Sequence, residues 1–178
     1  MQHVDYRSVS EKTLKQIEND GAFLTVQAGD VLNIMTIGWA SIGFIWGRPI
    51  MTVLVRKSRH TFGIIERSPD FTVSVPLVDM KKELEFCGTE SGRTVDKAAE
   101  CGLEFFPGQK VKTPVINVPG VHYECRIVYK SPLDPSYLIE AYKHLYPEKD
   151  FHTLYFGEIV YCCSTDDTST GDAKGRTK

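Results

Sequence analysis

Apolar and polar positions alternate with a period of two over much of this chain, and show helical spacing only in short stretches. Ala22 to Gln27 reads as a strand, with Ala28-Gly29-Asp30 as the turn after it. Val31 to Trp39 is a second β-prone run, and Ile42 to Trp46 continues the apolar character until Gly47-Arg48-Pro49 breaks it. Ile50 to Val55 has the unbroken apolar pattern of a buried strand, while Phe71 to Val75 and Val121 to Tyr129 alternate. Phe151 to Cys163 is the last long strand. Leu103 to Phe106, Gln109 to Lys112 and Val115 to Val118 are expected as short strands between Pro-Gly turns.

The helical signals are fewer. Ser8 to Glu11 has the form of a capping box, with Leu14 and Ile17 at helical spacing and Gly21 as a stop. Ser58 is placed to cap a helix over about residues 59–66, ended by Ser68-Pro69. Asp79 can cap a second, to about Phe86, and a short helical stretch covers Asp96 to Cys101. Asp134-Pro135 has an N-cap and N1 signature for a helix reaching about Leu145.

Many strands with closely spaced turns, and short helices in the connections, predict a mainly β chain: a barrel with peripheral helices. Strands and helices do not alternate regularly, and no Gly-rich dinucleotide fingerprint opens a βαβ unit, so a doubly wound sheet is disfavoured. The 178 residues fit one domain over residues 1–163. Residues 164–178 contain almost nothing to bury and are expected to be a disordered tail.

Charge narrows the partners. With 21 basic and 23 acidic residues the net charge is −2, which gives no broad field for nucleic acid or an anionic membrane. Any anion site must be local. No stretch approaches the roughly 20 apolar residues of a membrane helix, and the N-terminus lacks the apolar run of a secretory signal. Five scattered cysteines without CxxC spacing suit a reducing cytoplasm better than a disulfide framework, and the histidines make no zinc-like pair. Cys162 and Cys163 read as packing residues.

Four stretches carry candidate chemistry. In Asn33 to Ala40, small and polar residues beside Gly38 would let a flat ligand approach the backbone, with Trp39 against it; an ordinary core strand explains the same pattern. In Val55 to Thr61 a buried strand empties into a helix. Free N–H groups, the hydroxyls of Ser58 and Thr61, and Arg59 with Arg56 or Lys57 make a site for a phosphate, or simply a solvated basic turn. In Cys87 to Lys97, Ser91 and Gly92 offer donors and Lys97 an ammonium, unless this is a surface loop capped at Asp96. In His152 to Ile159, His152 at a strand start could meet a ligand at the barrel rim, as proton donor or hydrogen-bond partner, or be a surface residue.

In this order the segments resemble the flavin reductase-like family, including the bacterial flavoredoxins. The matching motifs are NxMTxxW at Asn33 to Trp39, RxSRxT at Arg56 to Thr61, SGRxxDK at Ser91 to Lys97 and HxxxxGE at His152 to Glu158. The resemblance implies an FMN-binding split β-barrel of Greek-key type that pairs into a homodimer. It places Asn33, Met35, Thr36 and Trp39 around the isoalloxazine and Ser58, Arg59 and Thr61 at the phosphate end. Ser91 and Lys97 would close over the cofactor, with His152 nearby.

The function so implied is an FMN-dependent oxidoreductase that moves electrons from NAD(P)H or a redox protein donor to an acceptor, with no side chain named as catalytic. An FMN-bound electron carrier, or a barrel binding another phosphorylated ligand, are the alternatives. The helix-like insert at 135–145 carries aromatics, Tyr137, Tyr142 and Tyr146, expected to pack against the barrel rather than form a lid.

Overall fold

A computed structural model describes residues 1–165 of the chain. A two-residue strand β1 (Gln2–His3) precedes helix α1 (Tyr6–Asn19), and four strands follow: β2 (Ala22–Ala28), β3 (Val31–Ile37), β4 (Ala40–Ile45) and β5 (Arg48–Arg56). Helix α2 (His60–Ile65) leads to β6 (Asp70–Pro76). Helices α3 (Lys81–Thr89) and α4 (Lys97–Glu100) lead to the small pair β7 (Phe105–Phe106) and β8 (Val115–Ile116). The long strand β9 (Gly120–Pro132), a short α5 (Glu140–Lys143) and β10 (His152–Ser164) complete the chain.

Eight strands form one antiparallel sheet in the order β3-β2-β6-β9-β10-β5-β4, with β1 added on β10. The two ends of this path are β3 and β4, yet only Gly38 and Trp39 separate them in sequence. Three peptide steps span at most about 11 Å, so the sheet must curl until its edges nearly meet. They do not pair. The result is a barrel split along one seam, with Trp39 at the end of the seam.

The strand pattern follows from two cores. Ala22, Leu24 and Val26 of β2 and Met35 and Ile37 of β3 point into the main core, while Phe23 and Ile34 point outward into a second cluster. That second cluster is roofed by Leu84, Cys87, Leu103, Ile116 and Val118. Strands covered on both faces read as near-continuous apolar runs, which is why β2 shows no clean alternation.

Several expectations are corrected. The N-cap of α1 is Asp5, whose side chain accepts from the Arg7 N–H at 2.9 Å; the Ser8 hydroxyl lies inside the helix and donates to the Asp5 carbonyl. β1 docks the chain on β10 and so starts the helix earlier than the box suggested. Asp79 lies before the cap of α3, at Met80, although its carboxylate still accepts from the Lys81 N–H. Pro49 is inside β5, paired with Phe44 but beyond the last β5–β10 pair, so its missing N–H costs no bond there.

Gln109 to Lys112 is not a strand. The Glu124 carboxylate, buried on β9, accepts from the N–H groups of Gln109, Lys110 and Val111, and Asp70 on β6 accepts from Lys112 and Thr113. Two acidic side chains thus take the place of a neighbouring strand. Asp134 caps as expected, accepting from Ser136 N–H at 2.8 Å, but the helix it begins is a single 3-10 turn over Pro135–Tyr137, with α5 separate from it. Ser164 belongs to β10 and Thr165 bonds the Gly120 backbone, so the ordered strand outlasts the expected boundary; the rest of the expected tail lies outside the described residues.

Candidate functional site

The site is built where β3, the β5–α2 junction, the α3–α4 loop and the start of β10 converge at the seam. Asn33 and Met35 share one face of β3, and both are buried. The Asn33 amide donates to Thr61 Oγ1 at 2.8 Å, which fixes the strand against the first turn of α2. Thr36 faces the other way. Its hydroxyl donates to the Leu84 carbonyl and its Cβ packs close to Gly88, so its side chain is committed to holding α3.

Ser58 does not cap α2. The cap position is Arg59, in extended backbone and without a side-chain cap bond. The Ser58 hydroxyl and N–H both donate to the Asp150 carboxylate, so Ser58 is held toward the start of β10. With only six residues, α2 contributes a modest dipole. The positive charge at this end comes from side chains.

Three of them converge. Arg59 Nη1 donates to the Gly88 carbonyl at 2.8 Å, Arg93 Nη1 to the Ser58 carbonyl at 3.3 Å, and Lys97 Nζ to the Cys87 carbonyl at 2.7 Å. Lys97 is buried, and burial pulls its pKa below the ordinary ammonium value. Burial also lowers the pKa of His60, with Arg93 and Lys97 adding repulsion. Together with Asn33, Met35, Ser58, Thr61 and Ser91 they line a cavity of about 170 Å³ in which Glu90 is the one carboxylate among the described residues. Gly92 is required here: a Cβ would run into Asn33 Oδ1 and crowd the His60 ring.

The second cavity, about 190 Å³, shares Met35 and Arg59 with the first and adds Thr36, Gly38, Trp39, Leu54, Arg56 and His152. The Trp39 and His152 rings lie 5.0 Å apart, and His152 Nδ1 is hydrogen-bonded to the Tyr146 hydroxyl at 2.9 Å. The Arg56 guanidinium sits over the Tyr146 ring at 5.2 Å and donates to the Leu145 carbonyl. Burial, then Arg56, pushes the His152 pKa down to about 4. His152 is therefore neutral near pH 7, a hydrogen-bond partner rather than a ready acid.

All ten residues singled out in the sequence line one or other of these adjoining cavities. The fit to a flavin mononucleotide rests on their donor chemistry: a cationic end, a second cavity flanked by an indole, and polar groups between. Jointly the cavities fall within the roughly 300–1,000 Å³ usual for small-molecule sites. Sequence reasoning passed over His60, Arg93 and Tyr146. The first two sat inside the quoted motifs, Arg93 legible as a cation and His60 as a polar ring; Tyr146 was expected only to pack. Lys57, considered as a phosphate partner, is exposed and outside both cavities. Among the described residues no cluster of His, Cys, Asp or Glu could hold a metal.

A family model described as a flavin reductase like domain matches residues 15–174. The chain belongs to the flavin reductase-like family. This family member is 27% identical over 144 residues to an uncharacterized protein of Archaeoglobus fulgidus, covering 81% of the chain and 72% of that protein. In structure it is similar to the flavoredoxin of Desulfovibrio vulgaris (Miyazaki F), with TM-score 0.66, 25% identity, and coverage of 85% of this chain and 72% of that one. It is also similar to flavoredoxin from Methanosarcina acetivorans, with TM-score 0.64, 28% identity, and coverage of 83% and 69%. The family is a flavin-binding one and the function is flavin-related redox chemistry. No helix among the described residues is long and apolar enough to cross a membrane.

Proposed function

We propose that the chain is an FMN-dependent oxidoreductase of flavin reductase or flavoredoxin type, passing electrons from NAD(P)H or a protein donor to an acceptor. The observation that carries this reading is the pair of cavities joined at Met35 and Arg59, cationic at one end and aromatic at the other. Arg59, Arg93 and Lys97 hold the phosphate through charge-assisted hydrogen bonds, with Ser91 beside them. Met35 and Trp39 border the ring, Asn33 lines the cationic end beside Thr61, and Thr36 contributes mainly by fixing α3. His152, neutral and oriented by Tyr146, offers a hydrogen bond at the ring's edge. When bound, the flavin supplies the hydride or electron transfer, and the chain supplies position and electrostatics.

Titrating the full chain with FMN tests the reading: saturable quenching of flavin fluorescence and a yellow protein are expected, and no uptake overturns it. The likeness to flavoredoxins favours a second reading, an electron carrier without a small-molecule substrate. Anaerobic mixing with NADH and NADPH separates the two. Rapid bleaching marks the reductase; bleaching only by a reduced protein marks the carrier.

A homodimer and a cytoplasmic setting complete the proposal. The exposed rings of Trp46 and Tyr129, 5.9 Å apart, with the half-buried ring of Phe156 6.0 Å from Trp46, form an aromatic patch suited to a second copy. Sedimentation should give twice the chain mass for the native protein and a lower mass for Trp46→Asp. The five free thiols suit a reducing compartment.

A further inference from the structure

Trp39 stands between two spaces. On one side is the ring end of the candidate flavin cleft; on the other is a wider cavity of about 810 Å³. Gly38, Trp39 and Leu54 line both, so the two spaces adjoin at the indole. The outer wall of the wider cavity comes from the insert between β9 and β10, including Leu138 and Tyr142. Tyr142 is 54% exposed, so the insert does not pack uniformly: it buries Tyr146 but leaves Tyr142 open at the rim.

We propose that this cavity binds the electron acceptor, a neutral aromatic or quinonoid small molecule, next to the flavin; the acceptor role rests on the FMN reading above. Size is the first argument, since the volume falls in the small-molecule range of about 300–1,000 Å³. Charge is the second. Among the described residues Glu18 is the one formally charged side chain on the lining, with no lysine or arginine there. An anionic acceptor, or the pyrophosphate of a dinucleotide, would be desolvated there beside a carboxylate with no cation to pair it. That contrasts with the cationic end of the cleft, where Arg59, Arg93 and Lys97 converge.

The third argument is the placement of the polar groups. Ser41 and Thr52 are direct partners in the β4–β5 register, so their side chains stand side by side on one face, and both line the cavity. Two adjacent hydroxyls in a wall that is apolar and aromatic apart from Glu18 can donate to a carbonyl oxygen while a flat ring lies against Trp39. At a quinone, two electrons and two protons convert the two carbonyls to hydroxyls, and reduced flavin gives up the same two electrons and two protons.

The test uses equilibrium dialysis of the full chain, with and without saturating FMN. Duroquinone is the neutral probe, chosen because it has no free ring position for a thiol, and anthraquinone-2-sulfonate is the anionic one. Saturable duroquinone binding is expected, weakened about tenfold or more by Tyr142→Asp. Glu18→Lys, on an exposed turn of α1, should leave duroquinone binding nearly unchanged and strengthen the sulfonate by about fivefold or more. FMN affinity, read separately by flavin fluorescence, should hold in both variants.

Absence of saturable duroquinone binding, or binding indifferent to Tyr142→Asp, overturns the proposal. So does self-association that Tyr142→Asp relieves without any quinone binding, which would make this face an interface between copies. Duroquinone binding in a chain that fails to take up FMN overturns the acceptor role and the flavin reading together, while the Glu18→Lys response still reports on the cavity itself.

Discussion

The Trp39 indole lies 5.0 Å from the His152 imidazole, which brings the two-residue link between β3 and β4 against the first residue of β10. These residues are more than a hundred positions apart in sequence, and their contact forms one wall of the ring-end cavity. Trp39 is 40% exposed, so it is not buried for stability alone. Trp39→Ala should weaken FMN by on the order of 1 kcal/mol or more, about fivefold in Kd, through loss of the ring contact. The measurement is a fluorescence titration, and an unchanged Kd would remove Trp39 from the ring site.

Arg59 separates phosphate recognition from ring recognition. Arg59→Ala should weaken FMN by about tenfold or more while riboflavin, which lacks the phosphate, loses far less. Equal losses would mean that Arg59 acts mainly through its bond to the Gly88 carbonyl, as a brace for α3.

Gly92 is the most sensitive backbone position in the site. In Gly92→Ala the added carbon meets Asn33 Oδ1, so the 91–97 loop must move away from β3. FMN affinity should fall by about tenfold. The thermal midpoint should shift little, since the loop carries no part of either core. A variant with native affinity would show that the loop approaches β3 less closely than described.

The His152 pKa sets a stability window. Above the ordinary imidazole value of 6.5 both folded and unfolded chains are neutral at this group, and it adds no pH dependence. Between 6.5 and about 4 the unfolded chain takes up a proton that the folded chain refuses, so stability falls as pH falls. The full loss is at most roughly 3 kcal/mol. Urea midpoints at pH 7 and pH 5 should differ more for the native protein than for His152→Asn; equal differences would assign the slope to other groups.

Glu124 tests the loop that was expected to be a strand. Three backbone N–H groups converge on its buried carboxylate, so Glu124→Gln removes charge from all three bonds and aims an amide donor at one of them. A loss of about 1–3 kcal/mol in denaturant unfolding is expected, with FMN affinity unchanged.

Where a physical rule is local, the sequence announced it. The alternation in β9, with Val121, Tyr123 and Cys125 in the core, and the Asp96 and Asp134 caps depend on neighbours within a few residues, and the structure has them where the pattern put them. Ser58 was misjudged as a cap because its partner, Asp150, is ninety-two residues away. The Glu124 cradle was hidden too, because its carboxylate lies on β9 while the N–H groups it holds lie 13 to 15 residues earlier, in a loop with no local pattern. Ser8 fitted a capping box, but Asp5 came first once β1 fixed the entry of the chain. The candidate site was legible as four separate segments; that they share two joined cavities follows from the curl of the sheet, which no single segment encodes.

Gly38 and Trp39 are the whole tether between the free margins of the sheet. If those margins drift apart, the indole must travel with them, so breathing of the shell registers as motion of the aromatic side chain. A molecule that pins the indole would in turn clamp the opening along its length, making occupancy and rigidity of the shell a single variable.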